Sequence, residues 1–217
     1  MAITLSTGAS ISVAKTYGAS ITVSAATNAS QTVLTTASAH SYSVGDYVEL
    51  VSGWDLLDKR VVRCTTGTTG STVVLESVDT TSTSLYPAGS GIGSIRKISA
   101  WSQLSQVKTI SGAGGSQNYA DVTSLSNSTQ KQVPTTRSAV TMDLTVFDDP
   151  TLAWYSDVTV ADQSRSPYGI LMSFPNGSRL LGNAYWSMQK IPGINSNEAL
   201  TTQISLSYAA EPIRYAS

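Results

Sequence analysis

Charge is scarce in this sequence. Of 217 residues only 12% are charged, and 13 Lys and Arg stand against 14 Asp and Glu for a formal net charge of −1. That is about half the charged share of an ordinary soluble domain. A protein that grips nucleic acid by its phosphates needs clustered Lys and Arg, so that class is excluded. The single cysteine, Cys64, cannot form an internal disulfide, which excludes a stapled secreted scaffold. No apolar run reaches the ~18–20 residues that span a bilayer. The opening Met1-Ala2-Ile3-Thr4-Leu5-Ser6 has neither the charged n-region nor the apolar core of a signal peptide. The expectation is a protein made and used in a cytoplasm, without membrane anchoring.

What fills the chain instead is hydroxyl: 35 serines and 27 threonines. Hydrophobic residues still make up 41%, and their frequent alternation argues against disorder. A surface of Ser, Thr, Gly and Asn near zero net charge has little repulsion to keep copies apart. It suits a protein that associates. It equally suits a β-rich domain with plain polar faces, since Thr, Val and Tyr favour strands.

The alternation predicts a mainly β fold. Val140, Met142, Leu144 and Val146 alternate with Thr141, Asp143 and Thr145, and Leu200, Thr202, Ile204, Leu206 and Tyr208 alternate with Thr201, Gln203, Ser205 and Ser207. Both read as strands with one face in a core. Tyr168, Ile170, Met172 and Phe174 mark another strand, and Asn176-Gly177 is expected to turn it through a type I′ hairpin. One helix is expected at about 150–162, capped by Asp149 with Pro150 at its first position. Five short strands, near 31–36, 47–51, 60–65, 72–76 and 94–98, read as a small barrel with its own core. Boundaries are expected near 98–101 and 18–21. They give an arm at 1–20, a small β-barrel insertion at 21–99, a β-sandwich core at 100–210 and a second arm at 211–217.

Proton-handling groups are few. His40 is the only histidine, so a His-based metal cluster is impossible, and no G-x-S-x-G elbow accompanies it for a hydrolase triad. Cys64, within Val61-Val62-Arg63-Cys64, reads as a small buried hydrophobe. Gly89-Ser90-Gly91-Ile92-Gly93-Ser94 has no Gly-Lys-Ser/Thr ending and precedes a strand, so it reads as a hairpin turn rather than a phosphate loop. Asp148-Asp149 has no companion cluster, so no metal is expected there. No catalytic residue, cofactor or metal emerges, which leaves a structural or binding β-protein that is not an enzyme.

A succession of short runs carries a resemblance. Tyr17-Gly18-Ala19-Ser20-Ile21-Thr22-Val23, Val44-Gly45-Asp46-Tyr47-Val48-Glu49, Ser52-Gly53-Trp54 and Leu57-Asp58-Lys59-Arg60-Val61 come first. Tyr86-Pro87-Ala88-Gly89, Ile95-Arg96-Lys97-Ile98, Gln132-Val133-Pro134-Thr135, Asp148-Asp149-Pro150-Thr151-Leu152 and Phe174-Pro175-Asn176-Gly177-Ser178 follow in order. Together they resemble major tail tube proteins of long-tailed, non-contractile bacteriophages over nearly the whole chain. The resemblance implies a virion tail protein, assembled in the host cytoplasm, whose hexameric rings stack into the conduit for the genome. It implies a β-sandwich with one flanking helix, whose strands join those of neighbours. Its partners would be further copies of itself, a tape-measure protein and tail-end proteins, with DNA passing through unbound. A polar loop at 124–137, with Ser124, Asn127, Gln130, Lys131 and Arg137, would bridge rings, as would the arms. The inserted segment would face outward.

A lumen must not hold phosphates, so it should carry hydroxyls and acid rather than Lys and Arg. Thr141, Asp143, Thr145, Thr201, Gln203, Ser205 and Ser207 are therefore the lumen-lining candidates. The rival reading is a surface adhesin or carbohydrate-binding β-domain, with Trp54, Trp101 and Tyr86 as a stacking platform.

Overall fold

Period-two stretches become strands wherever one face is covered. The computed structural model describes residues 7–194 and 196–216, so residues 1–6 of the expected N-terminal arm, and Ser217, lie outside it. The chain is mainly β. In order, the elements are β1 (Ser10–Tyr17), β2 (Ile21–Ala26), β3 (Val33–Thr36), β4 (Tyr47–Ser52), β5 (Val61–Arg63), β6 (Thr72–Val74), β7 (Gly93–Leu104), β8 (Val107–Ala113), β9 (Gln117–Asp121) and β10 (Gln132–Arg137). Then come β11 (Thr141–Phe147), α1 (Ala153–Ser164), β12 (Tyr168–Ser173), β13 (Arg179–Met188), β14 (Thr201–Tyr208) and β15 (Ile213–Tyr215).

The main sheet runs β7-β1-β12-β13-β14-β11-β8. Its inward residues, among them Ile11, Val13, Leu144, Ile170, Trp186 and Ile204, meet Trp154, Val158 and Ala161 of α1 in one apolar cluster. Each such aliphatic side chain contributes ~1.5–3 kcal/mol when fully buried. Contrary to the expected N-terminal arm, residues 10–17 belong to the sheet. They form β1, hydrogen-bonded between β12 and β7. A bulge spans Ala14 to Tyr17. Val13 faces the first cluster while Ala14 joins another, and the displaced Lys15 reaches Asp157 of α1 at 3.3 Å. An irregular strand of this kind leaves no clean alternation to read.

The helix starts later than expected, and neither Asp149 nor Pro150 caps it. Its N-cap position is Leu152, with no side-chain cap. The Asp149 carboxylate is taken by the turn before the helix, accepting from Thr151 N at 3.1 Å and Thr151 Oγ1 at 2.6 Å, a local competition Asp commonly wins. The Asn176-Gly177 turn also differs. Gly177 has φ +81° but Asn176 is not in the left-handed region, which rules out type I′. Phe174 and Gly177 close the turn through Gly177 N to Phe174 O at 2.9 Å, and Pro175 sets the first central residue to the negative φ of a type I turn.

Residues 21–97 wrap a second core built on Val48, Leu50, Trp54, Val62, Val73, Leu75 and Ile95. The pairings run β7-β2-β3-β6 on one side and β7-β4-β5 on the other. Between β5 and β6 they shrink to the single bridge Cys64↔Leu75. The expected small barrel is thus an open wrap with a seam, not a closed barrel. The expected break at 98–101 falls inside β7, whose first half pairs with β2 and β4 (Ile95 opposite Ile21, Lys97 opposite Val48) and whose second half pairs with β1 (Ile98 opposite Tyr17, Leu104 opposite Ile11). One strand serves both cores, so no linker separates them. The chain does break at residues 18–20, between β1 and β2.

At the junction Glu49, 5% exposed, accepts from Arg96 Nε at 2.5 Å and from Asn183 Nδ2 at 2.8 Å. Tyr47, Val61, Leu181 and Tyr215 pack beside it in a third cluster. The expected arm at 211–217 is also corrected: residues 213–215 form β15 on the edge of β13, and Tyr215 is 2% exposed. An apolar Ile and Tyr either side of Arg214 find more burial inside the molecule than free in water.

Candidate functional site

Antiparallel pairing of β11 with β14 brings the seven lumen candidates together. Thr141 lies opposite Ser207, Asp143 opposite Ser205 and Thr145 opposite Gln203, while Thr201 sits at the end opposite Phe147. The intervening Met142, Leu144, Val146, Thr202, Ile204 and Leu206 are buried, so all seven look away from the core. The register carries this polar face onto Thr109 and Ser111 of β8 and onto Tyr185 and Ser187 of β13. Ser205 Oγ donates to Asp143 Oδ1 at 2.6 Å. Along β11 and β14 the face carries one carboxylate, hydroxyls and an amide, with no cation, while exposed Lys108 of β8 falls at the register shift beside Thr145. Lys59 Nζ meets the face at its other margin, 3.5 Å from the Tyr185 hydroxyl.

Beside this face, among the described residues, the sheet ends in an open edge. β8 pairs with β11 on one side only, and its residues beyond Val107 are exposed. Such an edge presents unpaired N–H and C=O groups to any strand of suitable register. The β8–β11 ribbon then continues into a separate two-stranded hairpin, β9–β10, exposed along nearly its whole length. The two meet at Gly114, which has φ +90° and whose missing Cβ would lie 1.9 Å from Ala139 O. Only glycine fits there.

Ser124, Asn127 and Gln130 lie in the hairpin tip, Lys131 borders β10, and Leu125 is fully exposed. Arg137 is at the base instead, paired with Glu211 at 3.5 Å. Asp121 organises the tip. Its carboxylate accepts from the Thr123 hydroxyl, from Gln130 Nε2 at 3.0 Å and from Thr123 N at 2.8 Å. These bonds, the Thr123 side chain first, hold its carboxyl below the usual range. A depressed carboxyl stabilises above its unfolded pKa and releases that stability as pH falls through the folded one. The tip should therefore lose amide protection as pH drops below about 4, and Asp121→Asn should remove that pH dependence. Hydrogen exchange of residues 121–131 across the acid range measures it.

The rival chemistries are not assembled. Trp54 is 1% exposed, donates Nε1–H to Pro87 O at 2.8 Å and packs edge-on against the buried Tyr86. Trp101 lies half-buried against Tyr47, so the three aromatics form no platform. Both His40 nitrogens are engaged, Nε2 with Thr72 O at 3.1 Å and Nδ1 with Tyr42 N at 3.1 Å. Cys64 is fully buried, as its apolar run implies, and burial pushes its thiol up to about 12.

A one-sided polar sheet, an open edge and a projecting hairpin define a structural β-protein. The family model described as phage tail tube protein, TTP, matches residues 52–217, and the chain belongs to that family: it is a structural protein of a phage tail. The match begins at the last residue of β4 and so takes in part of the wrapped segment. No curated protein matches the sequence. A solved structure described as the anti-feeding prophage cap (AFP tube terminating cap) aligns with 49% of this chain and 79% of that one, at 18% identity and a TM-score of 0.36, too slight a likeness to inform assembly. Among the described residues no helix is long and apolar enough to cross a membrane.

Proposed function

We propose that this chain forms hexameric rings that stack into the tail tube and that the β11–β14 face lines its lumen. The observation that carries the reading is the cation-free face of Thr141, Asp143, Thr145, Thr201, Gln203, Ser205 and Ser207 next to an open sheet edge. β8 accepts a strand of the neighbouring subunit and continues the sheet round the ring, turning an aggregation hazard into assembly. The hydroxyl-lined wall of β11 and β14 offers DNA no fixed cations, so the genome slides past without specific binding. The hairpin reaches the next ring through Ser124, Asn127, Gln130 and Lys131, with Arg137 at its base. The wrapped segment faces outward, and a tape-measure protein and tail-end proteins complete the tail after assembly in the host cytoplasm.

Negative-stain microscopy of the purified protein tests this directly. Hollow tubes or stacked rings are expected, whereas a persistent monomer that binds glycans overturns the reading. Gly114→Val adds a narrower test. The strained φ and the clash with Ala139 O tilt the hairpin without touching either core. Circular dichroism should stay unchanged while tubes shorten or disappear.

A further inference from the structure

The seam between β5 and β6 has an unusual closure. Arg63 and Glu76 stand opposite each other across it, and Glu76 N donates to Arg63 O at 2.9 Å. In an antiparallel ladder such a pair exchanges two bonds, the second running from Arg63 N to Glu76 O. Here Arg63 N donates instead to the hydroxyl of Tyr215 at 3.1 Å, and that hydroxyl contacts Glu76 O at 3.4 Å, where its proton serves as donor. A side chain 152 residues beyond Arg63 occupies the place of a missing ladder bond.

Everything around Tyr215 holds it there. Its backbone is paired opposite Arg179 of β13. Its side chain lies in one buried cluster with Tyr47, Val61, Ile98 and Leu181. The Arg63 guanidinium, ion-paired to Glu76, lies over the ring at 4.6 Å. Burial pushes the hydroxyl up to about 12, so it keeps its proton at neutral pH.

We propose that β15 is a latch: Tyr215 seals the β5–β6 seam and ties the wrapped segment to the main sheet. The sealing side chain lies 152 residues beyond the seam it closes, so a chain lacking β15 presents a looser outer segment. The latch is a property of the single subunit and stands or falls apart from the tube reading.

Amide hydrogen exchange on the full chain tests it with two variants. Tyr215→Phe keeps the ring and removes only the hydroxyl. Its Arg63 amide should exchange at least about fivefold faster, the effect of one lost hydrogen bond, while β11 and β14 keep their protection. Deleting residues 212–217 should extend the loss to all of β5 and β6 and expose the 67–70 turn to protease. An unchanged Arg63 amide in Tyr215→Phe overturns the latch. So does equal deprotection of β11 and β14 in both variants, which would make Tyr215 an ordinary member of one cooperative core.

Discussion

Arg96→Met should destabilise the folded chain by about 3 kcal/mol, the loss typical of stranding one member of a buried ion pair. Glu49 is nearly inaccessible, and its carboxylate is met by the Arg96 guanidinium and the Asn183 amide. Arg96 also lies 3.9 Å above the ring of Tyr17, whose own hydroxyl accepts from Gly169 N at 2.9 Å. Methionine keeps most of the side-chain volume but leaves Glu49 with a neutral amide alone. The Arg96 side chain is 40% exposed, so water relieves part of the penalty and a larger value is not expected. For a chain of this length the melting temperature should fall by about 6–12 °C. The double variant Glu49→Gln/Arg96→Met should recover much of the loss, because no buried charge then remains unpaired. A single-variant effect below about 1 kcal/mol would show that apolar contacts alone hold the junction.

The second large effect concerns DNA passage. Asp143→Lys with Gln203→Lys places two ammonium groups on exposed positions of adjacent strands, where neither disturbs the buried alternate residues. Tubes should still form. Each subunit then offers phosphate contacts that must be broken as the genome moves, and infectivity should drop at least about tenfold. Raising salt should restore DNA release in vitro, because counterion release makes such contacts strongly salt-dependent. Asp143→Asn, which removes charge without adding a cation, should stay close to normal. Normal infectivity of the double-lysine virion would sink the lumen assignment.

The parts of the molecule that were legible in its sequence are those with one wet and one dry face. β11 and β14 alternate because α1 and the cluster around Trp186 cover one side, and their register then follows. β8, β9 and β10 gave no such signal, since within one subunit they are exposed on both faces. Thr109 and Ser111, which extend the candidate face, were missed with them. β1 was hidden by its bulge at Lys15, and β15 by its brevity: three residues carry no period. Asp149 looked like a cap because Asp-Pro often starts a helix, but its carboxylate is taken by Thr151 in the turn before the helix. The Trp54 platform failed for a related reason, as an aromatic in a turn-rich stretch reads equally as exposed or as the centre of a small core.

The shared strand β7 has a mechanical consequence. Ladder bonds lie across the strand direction, so a pull on the outer segment along β7 loads its bonds to β1 in parallel, in shear. Peeling them one at a time would need a force directed sideways. Tension applied to the wrapped segment is thus handed to the main sheet as a distributed load.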